Sequence, residues 1–154
     1  MTTPKVLIVG FGNPGRGDDG LGPALAEEIE RERRPDVTVE VDYQLVVEHA
    51  AMVADCSTVY FLDATVDATC DPFALQPLSP EPGLDFTSHS LSPARVLALA
   101  QDLYGARPEA WLLSVAGDRF DVFETRLSRP ARRRLDAAKR CLLDRIEQGA
   151  KNPS

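Results

Sequence analysis

The chain has 154 residues, with 17 Lys and Arg against 24 Asp and Glu, a net charge of −7 with both histidines neutral. That length suits one domain, residues 1–154 as a single unit, and 44% apolar residues favour a packed core over a disordered chain. The acidic balance excludes a nucleic-acid partner, because that affinity comes largely from neutralising phosphates with Lys and Arg. Cys56, Cys70 and Cys141 are far apart and odd in number, so neither a disulfide framework nor a thiolate zinc site is expected. The apolar stretch 6–9 is too short for a signal peptide or a membrane span, so no membrane association is expected and the chain reads as cytoplasmic and reduced.

The run Lys5-Val-Leu-Ile-Val-Gly10 is continuous and rich in β-branched residues, as in a strand buried on both faces. A glycine-rich loop follows over 10–22. Leu21, Ala24, Leu25 and Ile29 then recur at helical spacing, with Pro23 in the first turn. Residues 38–42 alternate like a second strand, and a short helix is expected over about 48–54. Residues 58–62 form a further buried strand that ends in Asp63. The stretch 67–92 carries prolines at 72, 77, 80 and 82 and reads as irregular, with room for a short strand near 73–78. A helical stripe (Val96, Leu97, Ala100) marks 93–103, and 110–116 is another buried strand. The last helix takes Ser128 as its N-cap and Pro130 in its first turn, and presents Ala131, Leu135, Ala138, Leu142 and Ile146; residues 149–154 read as a frayed tail.

Strands alternating with helices predict a three-layer α/β domain of the phosphorylase/hydrolase-like kind, a mainly parallel twisted sheet of about five strands with helices on both faces. Ligands of such sheets collect beyond the carboxyl ends of the strands. Three polar clusters fall there: the loop after the first strand, Asp63, and Gly117-Asp118 after the last strand.

Gly10-Phe-Gly12-Asn-Pro-Gly15 matches G-x-G-x-x-G after a strand, the pattern that sets a dinucleotide pyrophosphate on a helix N-terminus. Asp18 and Asp19 nevertheless stand where the phosphates would lie, and like charges in a partly buried site repel. The same opening resembles that of peptidyl-tRNA hydrolases, whose pattern asks for a histidine soon afterwards and a basic surface. Here the first histidine is His49 and the balance is acidic.

Asp19, Asp63 and His89 stand out as candidate metal ligands and catalytic groups. Two carboxylates and one imidazole suit a first-row divalent ion with positions left open for water or substrate. Each has a plainer alternative: Asp18 and Asp19 as helix caps, Asp63 bonded to neighbouring amides, His89 as a solvated turn residue. His49 reads as surface or substrate-loop polarity, Asp118 as a spare acid at the same rim, and Arg126, Arg129, Arg132, Arg133 and Arg134 as a solvated helix face.

Four segments together resemble the hydrogenase maturation endopeptidases: Leu7-Ile-Val-Gly-Phe-Gly-Asn13, Gly17-Asp-Asp-Gly-Leu-Gly22, Phe61-Leu-Asp63-Ala64 and Ser88-His-Ser-Leu-Ser-Pro93. The resemblance implies a twisted sheet between helices and an endopeptidase that removes a short C-terminal peptide from the large-subunit precursor of a nickel–iron hydrogenase once nickel is in place. It places the family's metal-contacting acids on Asp19 and Asp63 and its histidine on His89. The nickel would arrive with the substrate, although other divalent ions could occupy the same donors, and a monomer is expected. The first acid can be Glu in the family; Asp19 is one methylene shorter. After the second strand some members carry D-G-G-T, whereas this chain reads Tyr43-Gln-Leu-Val-Val-Glu48-His49-Ala50, similar to the Q-L-x-x-E-x-A version of another branch.

The expected protease would suit an aspartic-type classification, yet no D-T-G pair is present, nor a G-x-S-x-G elbow or an H-E-x-x-H helix. Both a metal-activated and a carboxylate-activated water remain open as the attacking species. Two rival classes stand beside it: a non-catalytic metal-binding chaperone or adaptor for the precursor, which could use the same residues, and a dinucleotide-binding module, which would use the glycine loop instead.

Overall fold

The computed structural model of the protein describes residues 5–81, 91–121 and 123–151. In chain order it contains β1 (Val6–Phe11), α1 (Leu21–Arg31), β2 (Val37–Asp42), α2 (His49–Ala54), β3 (Thr58–Thr65), β4 (Phe73–Pro77), α3 (Pro93–Tyr104), β5 (Glu109–Ala116) and α4 (Arg129–Lys151), with single 3-10 turns at Gly17–Gly20 and Ala68–Cys70.

One five-stranded sheet runs in the order β2-β1-β3-β5-β4. The first four strands are parallel, and β4 closes one edge antiparallel to β5. Side chains alternate across a strand, which explains why β1 has no polar face. Ile8 points into one core, with α1 and α4 (Leu21, Leu25, Ile29, Leu135, Leu142). Leu7 and Val9 point into the other, with α2 and α3 (Ala50, Val53, Val96, Leu97, Ala100). The expected three-layer α/β architecture is therefore the observed one.

Helix ends follow their local chemistry. Ser92 accepts from Arg95 N at 3.2 Å at the start of α3, and Gly105 ends that helix at φ 68, a left-handed position that favours glycine. Ser128 caps α4 as expected, its hydroxyl accepting from Ala131 N at 3.3 Å, and α4 continues to Lys151, into the stretch read as a tail. β3 runs past the predicted end to Thr65, because β5 still pairs with it there (Ala64 with Val115, Thr65 with Ala116) after β1 has left the sheet at Gly10–Leu62. Asp63 thus lies inside β3, one residue beyond the point where β1 turns away. No helix among the described residues is long and apolar enough to cross a membrane.

Candidate active site

The sheet reverses its direction of growth between β1 and β3: β1 leads to β2 over one face through α1, and β2 leads to β3 over the other through α2. A crevice opens at such a switch point, outside the carboxyl ends of the strands. Asp19, from the loop after β1, and Asp63, near the end of β3, both belong to it.

Glycines bring that loop down onto the strands. A Cβ on Gly22 would collide with the carbonyl oxygens of Leu62 and Phe11, and one on Gly10 with the carbonyl oxygen of Gly22. The start of α1 therefore sits directly on the ends of β1 and β3. Gly12 turns the chain at φ 143, a conformation that favours glycine, with the Asp19 carbonyl packed where a Cβ would project. The glycine fingerprint is thus used for backbone packing. Asn13 N–H, which could have served an anion, donates instead to Asp19 Oδ2 at 2.8 Å.

Each acid of the pair is oriented by one amide and left with one oxygen to spare. Asp19 uses Oδ2 on Asn13 N, and Asp63 uses Oδ1 on Ala64 N at 2.8 Å. Among the described residues, Asp19 Oδ1 and Asp63 Oδ2 have no hydrogen-bond partner, and neither acid has a basic side chain beside it. Burial pushes the Asp63 carboxyl up to about 6; the Ala64 amide opposes this, and the neighbouring Asp19 charge adds to it. Two adjacent acids in a partly buried crevice with no cation of their own fit a divalent ion, which would neutralise both. The third expected ligand, His89, lies outside the described residues.

A proton and a cation compete for Asp63, so binding is linked to pH. Zinc or nickel affinity of the purified protein, measured by calorimetry, is expected to be steady above pH 7 and to fall as pH drops through about 6. Affinity independent of pH between 5 and 7.5 would show that Asp63 is not a ligand.

The two acids of the Asp18-Asp19 pair have different tasks, and neither side chain caps α1. Asp18 is fully buried. Its Oδ2 accepts from Asp118 N (2.8 Å), Arg119 N (3.0 Å) and Ser128 Oγ (2.8 Å), and its Oδ1 accepts from Ser128 N at 2.7 Å. Burial works to raise its carboxyl, but the bonds from Ser128, Asp118 and Arg119 outweigh that and hold it below the usual value.

Two surface readings of the sequence, of Asp118 and His49, are corrected, and that of the arginine cluster is corrected at Arg134 alone, Arg126, Arg129, Arg132 and Arg133 being exposed. Asp118 is tied at 2.9 Å to Arg134 Nη1, and Arg134 also donates to Asp71 (2.8 Å) and to the Ala116 carbonyl (3.1 Å). Arg134 is therefore a clamp between β5, α4 and the turn before β4, whereas Arg132 and Arg133 stay on the exposed side of α4. His49 is only 3% exposed: Val46 N donates to its Nδ1 at 2.9 Å and its Nε2 faces Asp42 Oδ2 at 3.1 Å. Glu40, Asp42 and His49 bring their donor atoms within 4.8 Å of one another, a cluster that sequence reading missed. Its one legible signal was the alternation of β2, which puts Glu40 and Asp42 on the same side of the strand.

No family model and no curated protein matches the chain. Solved structures do match. The [NiFe] hydrogenase maturation protease HycI from Thermococcus kodakarensis aligns over 97% of this chain and 94% of its own, at 23% identity and a TM-score of 0.71. The hydrogenase maturating endopeptidase HybD from E. coli aligns over 94% and 93%, at 18% identity and a TM-score of 0.69. The hydrogenase 2 maturation peptidase from Thaumarchaeota archaeon SCGC_AB-539-E09 aligns over 92% and 97%, at 20% identity and a TM-score of 0.66. Across nearly its whole length, then, the chain has the fold of the hydrogenase maturation endopeptidases, the family that its motifs resemble.

Proposed function

We propose that this protein is a hydrogenase maturation endopeptidase that removes a C-terminal peptide from the nickel-loaded large-subunit precursor of a nickel–iron hydrogenase, acting in the cytoplasm as a monomer. One observation supports the reading: Asp19 and Asp63 flank the switch point of the sheet, near enough for the charge of one to act on the other, each with an unpartnered oxygen and no basic neighbour among the described residues. A site of this kind is incomplete without a cation, and a substrate that brings its own would complete it. His89 would supply the third ligand.

Bound there, nickel would polarise the scissile carbonyl or acidify a water. The chain's own contribution is orientation. Asn13 N–H and Ala64 N–H each hold one carboxylate by a single oxygen, so both acids meet the substrate without first reorganising. Around the same rim Tyr43, Val47, Val66 and Phe123 are exposed, apolar area of the kind that a protein substrate would cover.

The test is mass spectrometry of the large subunit's C-terminus after incubation with purified protein. Shortening of nickel-loaded precursor, absent from nickel-free precursor and abolished by Asp19→Ala or Asp63→Ala, is the expected result. Binding without shortening would identify an adaptor, and equal cleavage of both precursors would remove the nickel requirement.

A further inference from the structure

The imidazole of His49 lies outside the Asp19–Asp63 pair, yet it is built into the same rim. Val46 N–H points at Nδ1 from 2.9 Å. The Val46 carbonyl also lies 3.3 Å from Nδ1, but it already accepts from His49 N at 3.0 Å. The shorter contact comes from the Val46 amide, which always carries its hydrogen. Nδ1 therefore presents a lone pair to it, and the hydrogen of the neutral ring sits on Nε2. This assignment follows from the hydrogen-bond network, and it makes Nε2–H the donor to Asp42 Oδ2 at 3.1 Å. It also argues against an ion among Glu40, Asp42 and His49. A cation on Nε2 would drive that hydrogen to Nδ1, head-on against Val46 N–H.

The ring ties the two ends of one turn together, since Asp42 is the last residue of β2 and His49 the first of α2. Between them Leu45 is buried and its carbonyl accepts from Leu91 N at 3.1 Å, while Tyr43 is 70% and Val47 54% exposed. The Asp42 carbonyl in turn accepts from Gly12 N at 3.2 Å, and Gly12 packs on the Asp19 carbonyl. The turn is therefore braced from inside and joined by main-chain bonding to the loop that carries Asp19.

We propose that His49 is a positioning residue: as a neutral, Nε2-protonated imidazole it holds the Asp42 carboxylate and the 43–48 turn in the geometry that presents Tyr43 and Val47 to the precursor beside Asp19 and Asp63. The proposal rests on the maturation reading above and adds a residue that acts through others. Small displacements remote from the chemistry can cost up to about a hundredfold in rate, so loss of the brace has a measurable cost even with both acids intact.

The test joins ring 15N NMR to kinetics on the full chain. The His49 spectrum is expected to show a protonated Nε2 and a bare Nδ1; a protonated Nδ1, or loss of the Nε2 hydrogen on adding zinc, would overturn the assignment. With nickel-loaded precursor, His49→Leu should raise KM about tenfold with little change in kcat, and His49→Gln, which keeps an amide donor for Asp42, should recover most of that loss. Asp42→Ala severs the same bond at a half-exposed position and should raise KM likewise, so the idea stays testable if His49→Leu does not fold. Wild-type KM in His49→Leu or Asp42→Ala would overturn the proposal. So would a His49→Gln variant as impaired as His49→Leu, because the ring would then serve only to fill space. Wild-type protein inert on loaded precursor would instead overturn the maturation reading, and the ring spectrum would still decide the His49–Asp42 bond.

Discussion

Asp63→Asn is expected to raise the melting temperature at pH 8 while abolishing precursor cleavage. The folded carboxyl titrates at about 6 against an ordinary value of 3.8, with burial as the main cause. A raised value means that the folded state binds this proton more tightly than the unfolded chain does. The associated stability is fully present below about pH 3.8 and is lost as pH rises through about 6. At pH 8 the ionised group therefore costs the fold up to about 3 kcal/mol. Asn removes the charge and keeps an oxygen for the Ala64 amide. In a domain of this size that corresponds to a gain on the order of 5 °C. The gain should shrink to a small fraction of this at pH 4, where the folded carboxyl is neutral and the unfolded one about half ionised, and vanish at lower pH. Thermal melts of wild type and variant at the two pH values check this; an unchanged or lower melting temperature at pH 8 would show that Asp63 bears no burial cost. A group that destabilises the fold at working pH is retained for something other than folding, and a cation would relieve it.

The sequence carried the layered fold because buried parallel strands are apolar without interruption, and β1, β3 and β5 have that signature. It placed Asp19 and Asp63 at one rim because Asp63 ends one such run and Asp19 lies in the loop after another, and the parallel arrangement sends those ends to the same edge. It could not separate Asp18 from Asp19. The difference between them arises from Asp118, Arg119 and Ser128, about a hundred residues further on, which reach only the first of the two. The same holds for Arg133 and Arg134, neighbours on one helix: one projects to solvent, and the other meets Asp71 and Asp118. His49 looked polar and superficial because its burial depends on a turn in which Val46 N–H folds back onto the ring, a contact without periodicity. β4 was legible only as a possibility, since an edge strand of five residues bounded by prolines leaves little pattern.

Asp18→Ala is expected to be the most destabilising single change considered, lowering stability by about 3–5 kcal/mol, which in this domain means a fall in melting temperature on the order of 10 °C. The carboxylate is buried and collects three backbone amides and one hydroxyl. Ala would leave all four donors without their acceptor inside the fold. Two further main-chain bonds close the same seam, Asp18 N to Arg119 O and Gly17 N to Glu124 O, each at 2.8 Å. Losing the carboxylate therefore loosens the chain between β5 and α4 from the loop that carries Asp19. Because the folded carboxyl lies below its usual value, its contribution is present above the ordinary carboxylate range and is lost only as pH falls through the lowered value, so wild type should keep it through mildly acidic conditions. The adjacent residue supplies the control. Asp19→Ala gives up one amide bond at a partly exposed rim, worth at most about 1 kcal/mol, and relieves Asp63 of a like charge. It should melt close to wild type yet process nothing. If denaturant titrations gave the two alanine variants equal stability, the division of this pair into a structural acid and a working acid would be wrong.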